Sequence, residues 1–526
     1  MDRKDFSSVI AICENLLEQM QKPLTGRKNL TAVVASVFLF FFLGNGYAFV
    51  NQYPIHDAVP QMTSVSYMWQ VQLGRFLMPL YLKIRGVIPA PLIIISLSVL
   101  YLSISVYILL HAIGVETKQE IFLISGFLSV NLFTLEISAV HQYFADVFLV
   151  ALLFSCLGVY FVFEKINLSR SILSAVCLFL SFGIYPAFIT FAVCLFVLVI
   201  LREILTKWDP ETKMMVRILA WTAILLVSGL AYIIANRLAL HFMESTASDA
   251  PWSIFTVGRM SIREIINSIS SNYRQFFKTF LDPHSVFGTD YFASSVLLLA
   301  FSIWLTARHQ KPGKTFLVIL LVSLFPLGSR LVNIMTESVL AYRTMYAQFL
   351  FYPILIWLFF VGIQNTVDLS SKLKKGLPIV VLLLSAVIIW DNVKFNNTGF
   401  VWQKIMYDRA EYHVGQVIAD YWNYQSENEE FADCPVAIIG CFSFDNSKNP
   451  VFENYRIVEG MDNDTGVTYE MIVESYAALS GCFLNWDPSD SNAVRNLQEV
   501  IDMPCYPEKG YISEVDGYLV LKLSSE

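Results

Sequence analysis

The sequence predicts a polytopic α-helical membrane protein, with about eleven transmembrane helices followed by a small C-terminal α/β domain outside the membrane. Three observations support this fold class. First, 56% of the 526 residues are hydrophobic and 15% are charged, with a mean hydropathy of +0.55, whereas soluble domains carry about 25% charged residues. Second, apolar runs of bilayer length recur up to residue 391. Third, residues 392–526 hold 8 Lys and Arg against 22 Asp and Glu, whereas the preceding residues hold 28 against 21.

The composition also excludes two classes of protein. The 41 Phe, 25 Tyr and 10 Trp residues supply too much apolar surface for a disordered chain. The net charge of −7, together with the absence of a basic stripe in the sequence, argues against nucleic acid as a partner.

The individual spans are read from the apolar runs. A hydrocarbon core about 30 Å thick needs about 20 apolar residues per helix. The first run is not a cleaved signal peptide, because a polar segment precedes it and no small-residue cleavage site follows. The eleven runs cover residues 30–50, 87–113, 120–138, 143–163, 171–185, 187–204, 217–239, 293–307, 314–328, 341–362 and 377–391.

Basic residues in the connections orient these spans, because cytoplasmic loops are enriched in Lys and Arg. With a cytoplasmic N-terminus, every second connection is basic, through Lys118, Lys165, Arg170, Arg202, Lys207, Lys213, Arg217, Arg308, Lys311, Lys314, Lys372, Lys374 and Lys375. We therefore expect a multi-pass membrane protein with a cytoplasmic N-terminus, with membrane lipids as partners. Its parts are a cytoplasmic amphipathic segment (1–29), a multi-span domain (30–391) with outer loops 51–86 and 240–292, and an extracytoplasmic domain (392–526).

The C-terminal domain reads as α/β. Apolar residues at helical spacing predict a helix over 402–424, and short β-type runs occur at Val436–Ile439, Met471–Val473 and Tyr518–Leu523. Cysteines in an oxidising compartment favour disulfides. The four cysteines of this domain therefore predict two disulfides, with free thiols as the alternative: Cys434, Cys441, Cys482 and Cys505.

The first outer loop carries the clearest candidate chemistry. An acid at its start, Asp57, and a guanidinium, Arg75, flank a stretch that suits an amphipathic helix on the membrane. Asp57 could deprotonate an acceptor hydroxyl, and Arg75 could hold a phosphate oxygen through paired N–H donors. In the alternative interpretation Asp57 caps the helix and Arg75 reaches to lipid headgroups.

Three short motifs resemble the bacterial Gtr-type glucosyltransferases, polytopic enzymes of the GT-C class that modify O-antigen or other surface polymers. They are His56-Asp57 followed by Gly74-Arg75-Phe76, then Gly183-Ile-Tyr185-Pro186, and Ala341-Tyr-Arg343-Thr-Met-Tyr346. The resemblance implies transfer of a glucosyl group, with inversion, from polyprenyl-phosphate-glucose to a cell-surface glycan outside a bacterial plasma (inner) membrane. It also implies that Asp57 is the general base, with His56 or Glu136 as its partner.

The developing phosphate charge in such a transfer needs cations, because the transition state resembles an oxocarbenium ion leaving an anion. Arg75, Arg330 and Arg343 are the candidates, with snorkelling to headgroups as the alternative for Arg343. Tyr185 could stack on a sugar or serve as an interfacial anchor. His141 lies in a polar cluster with Asp146, which is either a substrate contact or an interhelical network.

A rival function remains open from the sequence: a transporter or flippase, or a polymerase, of lipid-linked saccharides. Against transport, the sequence shows no internal repeat, and its ionisable residues gather at one set of helix ends. No cofactor is identified, and a divalent cation remains possible. No zinc-type spacing of His and Cys occurs.

Overall fold

The structure is a computed structural model. It describes residues 27–51, 53, 67–86, 90–115, 117–206, 211–248, 260–282, 287–309, 312–336, 341–365, 370–428, 434–442, 455, 458, 477, 481 and 484–525. The predicted N-terminal amphipathic segment therefore lies largely outside the described residues, as does the predicted strand Met471–Val473.

The described chain is mainly helical. Its first helices are α1 (Arg27–Asn51), α2 (Tyr67–Gln72), α3 (Met78–Arg85), α4 (Pro91–Ile113), α5 (Lys118–Ser129), α6 (Leu132–Ala139), α7 (Ala145–Phe163), α8 (Leu168–Ile184) and α9 (Ile189–Thr206). They are followed by α10 (Glu211–Phe242), α11 (Ile262–Leu281), α12 (Gly288–His309), α13 (Pro312–Ser329), α14 (Leu331–Met335), α15 (Phe351–Asn365) and α16 (Ser371–Glu427).

Every predicted apolar run falls on one or more of these helices. Within the described part of the chain, nine helices are long and apolar enough to cross a membrane, or ten if one bent pair counts as a single span. The 17-residue α8 is a further, shorter apolar helix. The protein is thus a helical membrane protein with about nine such helices.

The bent pair is α5 and α6, which meet at 46° within the predicted run 120–138. Asn131 causes the break: its side-chain oxygen accepts from the backbone N–H groups of Phe133 and Thr134, and Thr134 Oγ1 accepts from the Asn131 N–H. A capping box of this kind starts a new helix rather than continuing the old one. The break sets the direction of α6, which carries Glu136.

Burial distinguishes central from peripheral helices. Of an apolar 18-residue stretch in each span, 89% is buried in the span of α15 and 72% in that of α7, against 22% in α10 and in α13. Helices α7 and α15 therefore form the centre of the bundle. Since apolar residues of α10 and α13 face outward, these helices are suited to contact with lipid.

The predicted boundary at residue 392 does not interrupt the backbone. Helix α16 has 57 residues and continues through this position, so the apolar run 377–391 and the predicted helix 402–424 form one element. No proline follows Pro378 within it, and nothing else in the local sequence forces a break.

The remaining elements build a small sheet against the end of α16. They are β1 (Val436–Ile439), α17 (Pro488–Val494), α18 (Gln498–Asp502), β2 (Ile512–Val515) and β3 (Tyr518–Lys522). The strand order is β1-β3-β2, with β1 parallel and β2 antiparallel to β3. Tyr511 Oη donates to Asp420 of α16 at 2.8 Å. The sequence predicted β1 and β3 and missed β2.

The expected pair of disulfides is wrong for this structure. Cys434 and Cys505 are both free thiols, so the four cysteines cannot form two bonds. Cys482 lies outside the described residues. The alternative of free thiols, which the sequence left open, holds for Cys434 and Cys505.

Candidate functional site

The described candidate residues gather at one end of the bundle, where α1, α5 and α8 finish. We call this the site end. Several hydrogen bonds join connections that are distant in sequence there: Gln142 Nε2 donates to the Ala48 carbonyl at 2.5 Å, and the Leu77 N–H donates to the Gly183 carbonyl at 2.9 Å. The expectation that these connections share one face of the bundle therefore agrees with their contacts.

Arg75 lies in the tight turn between α2 and α3. Gly74 adopts a φ of +87°, a conformation that favours glycine. The Arg75 guanidinium donates to Gln70 Oε1 at 3.1 Å and lies over the Tyr185 ring, 4.7 Å from its centroid. A cation over an aromatic face is attracted by the ring quadrupole. Arg75 and Tyr185, two separately predicted candidates, are thus in contact.

Gly183 allows this contact by close packing. A Cβ added at Gly183 would lie 2.7 Å from Leu77 Cδ1 and 3.0 Å from Phe76 Cζ. Since Phe76 and Leu77 directly follow Arg75, the glycine fixes how closely the turn approaches α8. This gives a physical reason for the glycine in the motif that ends at Pro186.

A row of rings connects Tyr185 to His141. Phe148 lies between them, with ring centroids 4.7 Å from Tyr185 and 5.6 Å from His141. His141 is 6% exposed and lies two residues after the end of α6 at Ala139. The first loop, α8 and the connection after α6 therefore form one continuous aromatic and polar surface.

Glu136 and Arg343 form a buried ion pair. Arg343 Nη1 lies 2.6 Å from Glu136 Oε1, and the Arg343 backbone N–H donates to Oε2 at 3.3 Å. The side chain of Glu136 is fully buried, and that of Arg343 is 16% exposed. Removing one partner of such a pair typically destabilises a protein by about 3–5 kcal/mol. Glu136 therefore neutralises Arg343 and holds the connection before α15 against α6.

Arg330 is buried without a carboxylate partner in the described part of the chain. Its Nε and Nη2 donate to Gln348 Oε1 at 3.1 and 3.0 Å, and its Nη1 donates to Gln275 Oε1 at 2.9 Å. Only 2% of the residue is exposed. Burial lowers the pKa of Arg330 to about 10, so the group stays protonated at neutral pH. Its positive charge is solvated by neutral amides and is not cancelled by them.

Tyr342 precedes Arg343 in the chain, and its hydroxyl is affected by the charges of both arginine sites. Burial raises the pKa of its hydroxyl, Arg330 opposes that rise and Glu136 adds to it. These opposing influences place Glu136, Tyr342 and Arg330 in one electrostatic neighbourhood. Gln275 and Gln348 belong to this neighbourhood too, and the sequence analysis missed both because neutral side chains leave no charge signal.

Asp146 belongs to an interhelical network. It accepts from Arg85 Nη1 at 2.8 Å and from Tyr81 Oη at 2.6 Å, and Arg85 Nη1 also donates to the Tyr143 carbonyl at 2.8 Å. Both side chains of the ion pair are buried, at 4% and 0% exposure. The pair fixes α3 to the start of α7. The sequence left two interpretations of this polar cluster, a substrate contact and an interhelical network. The contacts of Asp146 match the interhelical network.

Two central candidates, His56 and Asp57, lie outside the described residues. No three His, Cys, Asp or Glu side chains converge on a possible metal position in the part of the chain that the structure describes.

Comparison with known proteins places the sequence of this chain in a family. Searches among curated proteins and among solved structures each return no match. The family model described as "Glucosyl transferase GtrII" matches residues 46–361, more than half of the chain. The matched region includes the Arg75 turn, the Glu136–Arg343 pair and Arg330. The chain therefore belongs to the GtrII glucosyltransferase family.

Proposed function

We propose that this glucosyltransferase moves a glucosyl group from polyprenyl-phosphate-glucose to a surface glycan on the outer face of the bacterial plasma membrane. The family supplies the reaction class. The alternation of Lys and Arg along the connections supports a cytoplasmic N-terminus, and that orientation puts the site end on the outer face.

The observation that carries the choice of donor is the uncancelled charge of Arg330. Glu136 neutralises Arg343, whereas Arg330 is held by two amide oxygens. A buried cation with no carboxylate partner in the described part of the chain is well suited to a bound anion, and the phosphate of a lipid-linked sugar supplies one. Positive charge fixed at the leaving group acts more strongly in the transition state, because phosphate charge grows as the sugar bond breaks.

The amide of Gln348 strengthens this assignment. Its oxygen accepts from Arg330, and its buried Nε2 has no hydrogen-bond partner within the described structure. An unused N–H donor beside a protonated guanidinium is a second group able to bind a phosphate oxygen. A buried donor without a partner is otherwise unfavourable by about 1–3 kcal/mol.

Asp57 is the proposed general base. It follows the buried Tyr53 by four residues, and four residues span at most about 14 Å. The Tyr53 ring lies 6.3 Å from the Tyr47 ring at the end of α1, next to Ala48, which accepts from Gln142. The chain length therefore allows Asp57 to approach the site end.

The proposed reaction is a single displacement at C1 of glucose. The acceptor hydroxyl oxygen attacks C1 of glucose while its proton passes to the Asp57 carboxylate. The bond from C1 to the phosphate oxygen breaks, and polyprenyl phosphate leaves with the bond's electron pair. Arg330 stabilises the phosphate, and Arg75 and Tyr185 border the sugar. Attack from the face opposite the phosphate inverts the configuration at C1.

Replacing Asp57 with Asn tests the base directly. General-base catalysis contributes roughly 10²–10⁴-fold, so we expect Asp57→Asn to lose surface glucosylation by at least the lower figure while accumulating normally in the membrane. Asp290→Asn is the matched control, because Asp290 is an exposed acid in the first turn of α12. Wild-type glucosylation by Asp57→Asn would contradict the assignment.

A further inference from the structure

Helix α11 has an apolar face that runs along its whole length. At 100° per residue, its isoleucines and phenylalanines fall on one side of the helix. Arg263, Asn267, Ser271, Arg274 and Lys278 fall on the opposite side. The apolar face consists of Ile262, Ile265, Ile266, Ile269, Phe276 and Phe280.

The protein covers only half of this face. Phe276 and Phe280 are 0% and 1% exposed, whereas Ile262 and Ile266 are 79% and 60% exposed. The change from exposed to buried occurs near Asn272. The N-terminal half of α11 thus projects beyond the bundle with its apolar side uncovered.

Contacts of the other half fix where the apolar side points. Phe276 packs on Phe325 of α13 and Phe351 of α15, with ring centroids 6.1 and 5.3 Å apart. Both partners lie near the site ends of their helices, so α11 lies across the site end with its apolar face turned towards the bundle. Where the bundle stops, the same face is exposed at Ile262 and Ile266.

A third side of α11, between the apolar and the basic side, forms hydrogen bonds that fix the rotation of the helix about its axis. Gln275 Oε1 accepts from Arg330 at 2.9 Å, and Ser268 Oγ donates to the Asn333 carbonyl at 3.4 Å. These two residues project about 20° apart around the helix axis. They hold α11 against the segment that carries Arg330.

The polar side complements an anionic lipid surface. It carries Arg263, Arg274 and Lys278, whereas the acid in this helix, Glu264, caps the helix through Ser261. Basic residues opposite an apolar face are typical of helices that lie in the membrane interface. A lipid layer supplies both an apolar interior for the isoleucines and anionic headgroups for the basic side, whereas an isoprenoid tail supplies only the apolar contact.

We propose that the N-terminal half of α11, residues 262–269, is inserted into the bilayer surface beside the site. Its lipid contact sets the depth of Gln275, and through Gln275 the depth of the Arg330 guanidinium relative to the headgroups. This inference concerns the membrane contact and stands whether or not the proposed donor is correct.

Spin-label accessibility in the full-length protein tests the proposal. A nitroxide amino acid is placed by codon suppression at Ile266 or Ile269, with Asn267 and Ser271 as matched polar controls on the same turns. The protein is reconstituted in phospholipid nanodiscs, and collisions with oxygen and with a water-soluble nickel chelate are measured by power saturation. We expect the accessibility of the label to oxygen to exceed its accessibility to the chelate severalfold at Ile266 and Ile269. At Asn267 and Ser271 we expect the accessibility to the chelate to be the larger of the two.

Two results would overturn the proposal. Equal, water-like accessibility at all four positions would show that the isoleucine face lies in solvent. Oxygen-rich accessibility that develops only after polyprenyl phosphate is added would assign the face to an isoprenoid chain instead of the bilayer.

Discussion

Replacing Arg330 with Met is the sharpest perturbation of the proposed phosphate site. The change removes one charge and three hydrogen bonds to Gln348 and Gln275. The buried amide oxygen of Gln348 and the half-buried one of Gln275 lose their donors, which costs up to about 1–3 kcal/mol each. The substitution also removes a buried charge, whose desolvation costs several kcal/mol. Because these effects oppose each other, we expect the free energy of unfolding to change by no more than about 2 kcal/mol.

The effect on catalysis should be larger than the effect on stability. Removing one preorganised group that stabilises transition-state charge typically costs about 2.7–4 kcal/mol, or roughly 10²–10³-fold. Arg330→Met should therefore lower kcat/KM for transfer from polyprenyl-phosphate-glucose by that factor. Arg330→Lys keeps the charge but loses the planar guanidinium that donates to two amide oxygens. We therefore expect an intermediate decrease of kcat/KM, about tenfold.

The assay measures labelled glucose transferred by purified protein in nanodiscs, with thermal unfolding recorded for each variant. Arg202→Met is the matched control, because Arg202 donates to the Ala112 carbonyl at 2.8 Å at the opposite end of the bundle. Its transfer should match the wild type. A folded Arg330→Met protein with wild-type kcat/KM would refute the assignment of Arg330 to the phosphate.

Two further predictions concern the packing that supports the site. Gly183→Ala should lower both the unfolding temperature and transfer, since its new Cβ would lie 2.7 Å from Leu77 Cδ1 and overpacking costs about 1–3 kcal/mol. Gly229→Ala is the control, because a Cβ added there has no neighbouring atom within 4 Å. It should leave stability unchanged or raise it by up to about 1 kcal/mol. Equal unfolding temperatures and transfer rates in the two variants would contradict the packing argument. Asp146→Ala should destabilise the protein by about 3–5 kcal/mol in chemical unfolding, because Arg85 is left buried without its partner; an unchanged unfolding midpoint would show that the pair is not structural.

Much of the helical architecture was predictable because apolar runs of bilayer length leave few alternatives. The break at Asn131 was missed, although an Asn followed three residues later by Thr134 is a visible capping signal within an apolar run. The continuity of α16 was missed for the opposite reason. A change of composition at residue 392 suggested a boundary, but the local sequence contains nothing that ends a helix there.

The sequence offers candidate residues one at a time and does not predict which of them are in contact. Glu136 and Arg343 are 207 positions apart, so no spacing argument joins them, and only the packed bundle brings them together. Arg75 and Tyr185 were both candidates, yet their contact depends on how closely the turn approaches Gly183. The role of Asp57 stays a prediction, because it lies outside the described residues.

The central claim is that this chain forms a glycosidic bond from a lipid-linked glucose. The most direct test gives the purified, reconstituted protein radiolabelled polyprenyl-phosphate-glucose and surface glycan from the cells that produce it. We predict label in a new glycosidic bond, dependent on Asp57 and reduced by Arg330→Met. Label that crosses the bilayer on its lipid without a new bond would contradict the claim and indicate a flippase. Reaction only with an oligosaccharide-lipid would contradict the proposed donor and indicate a polymerase.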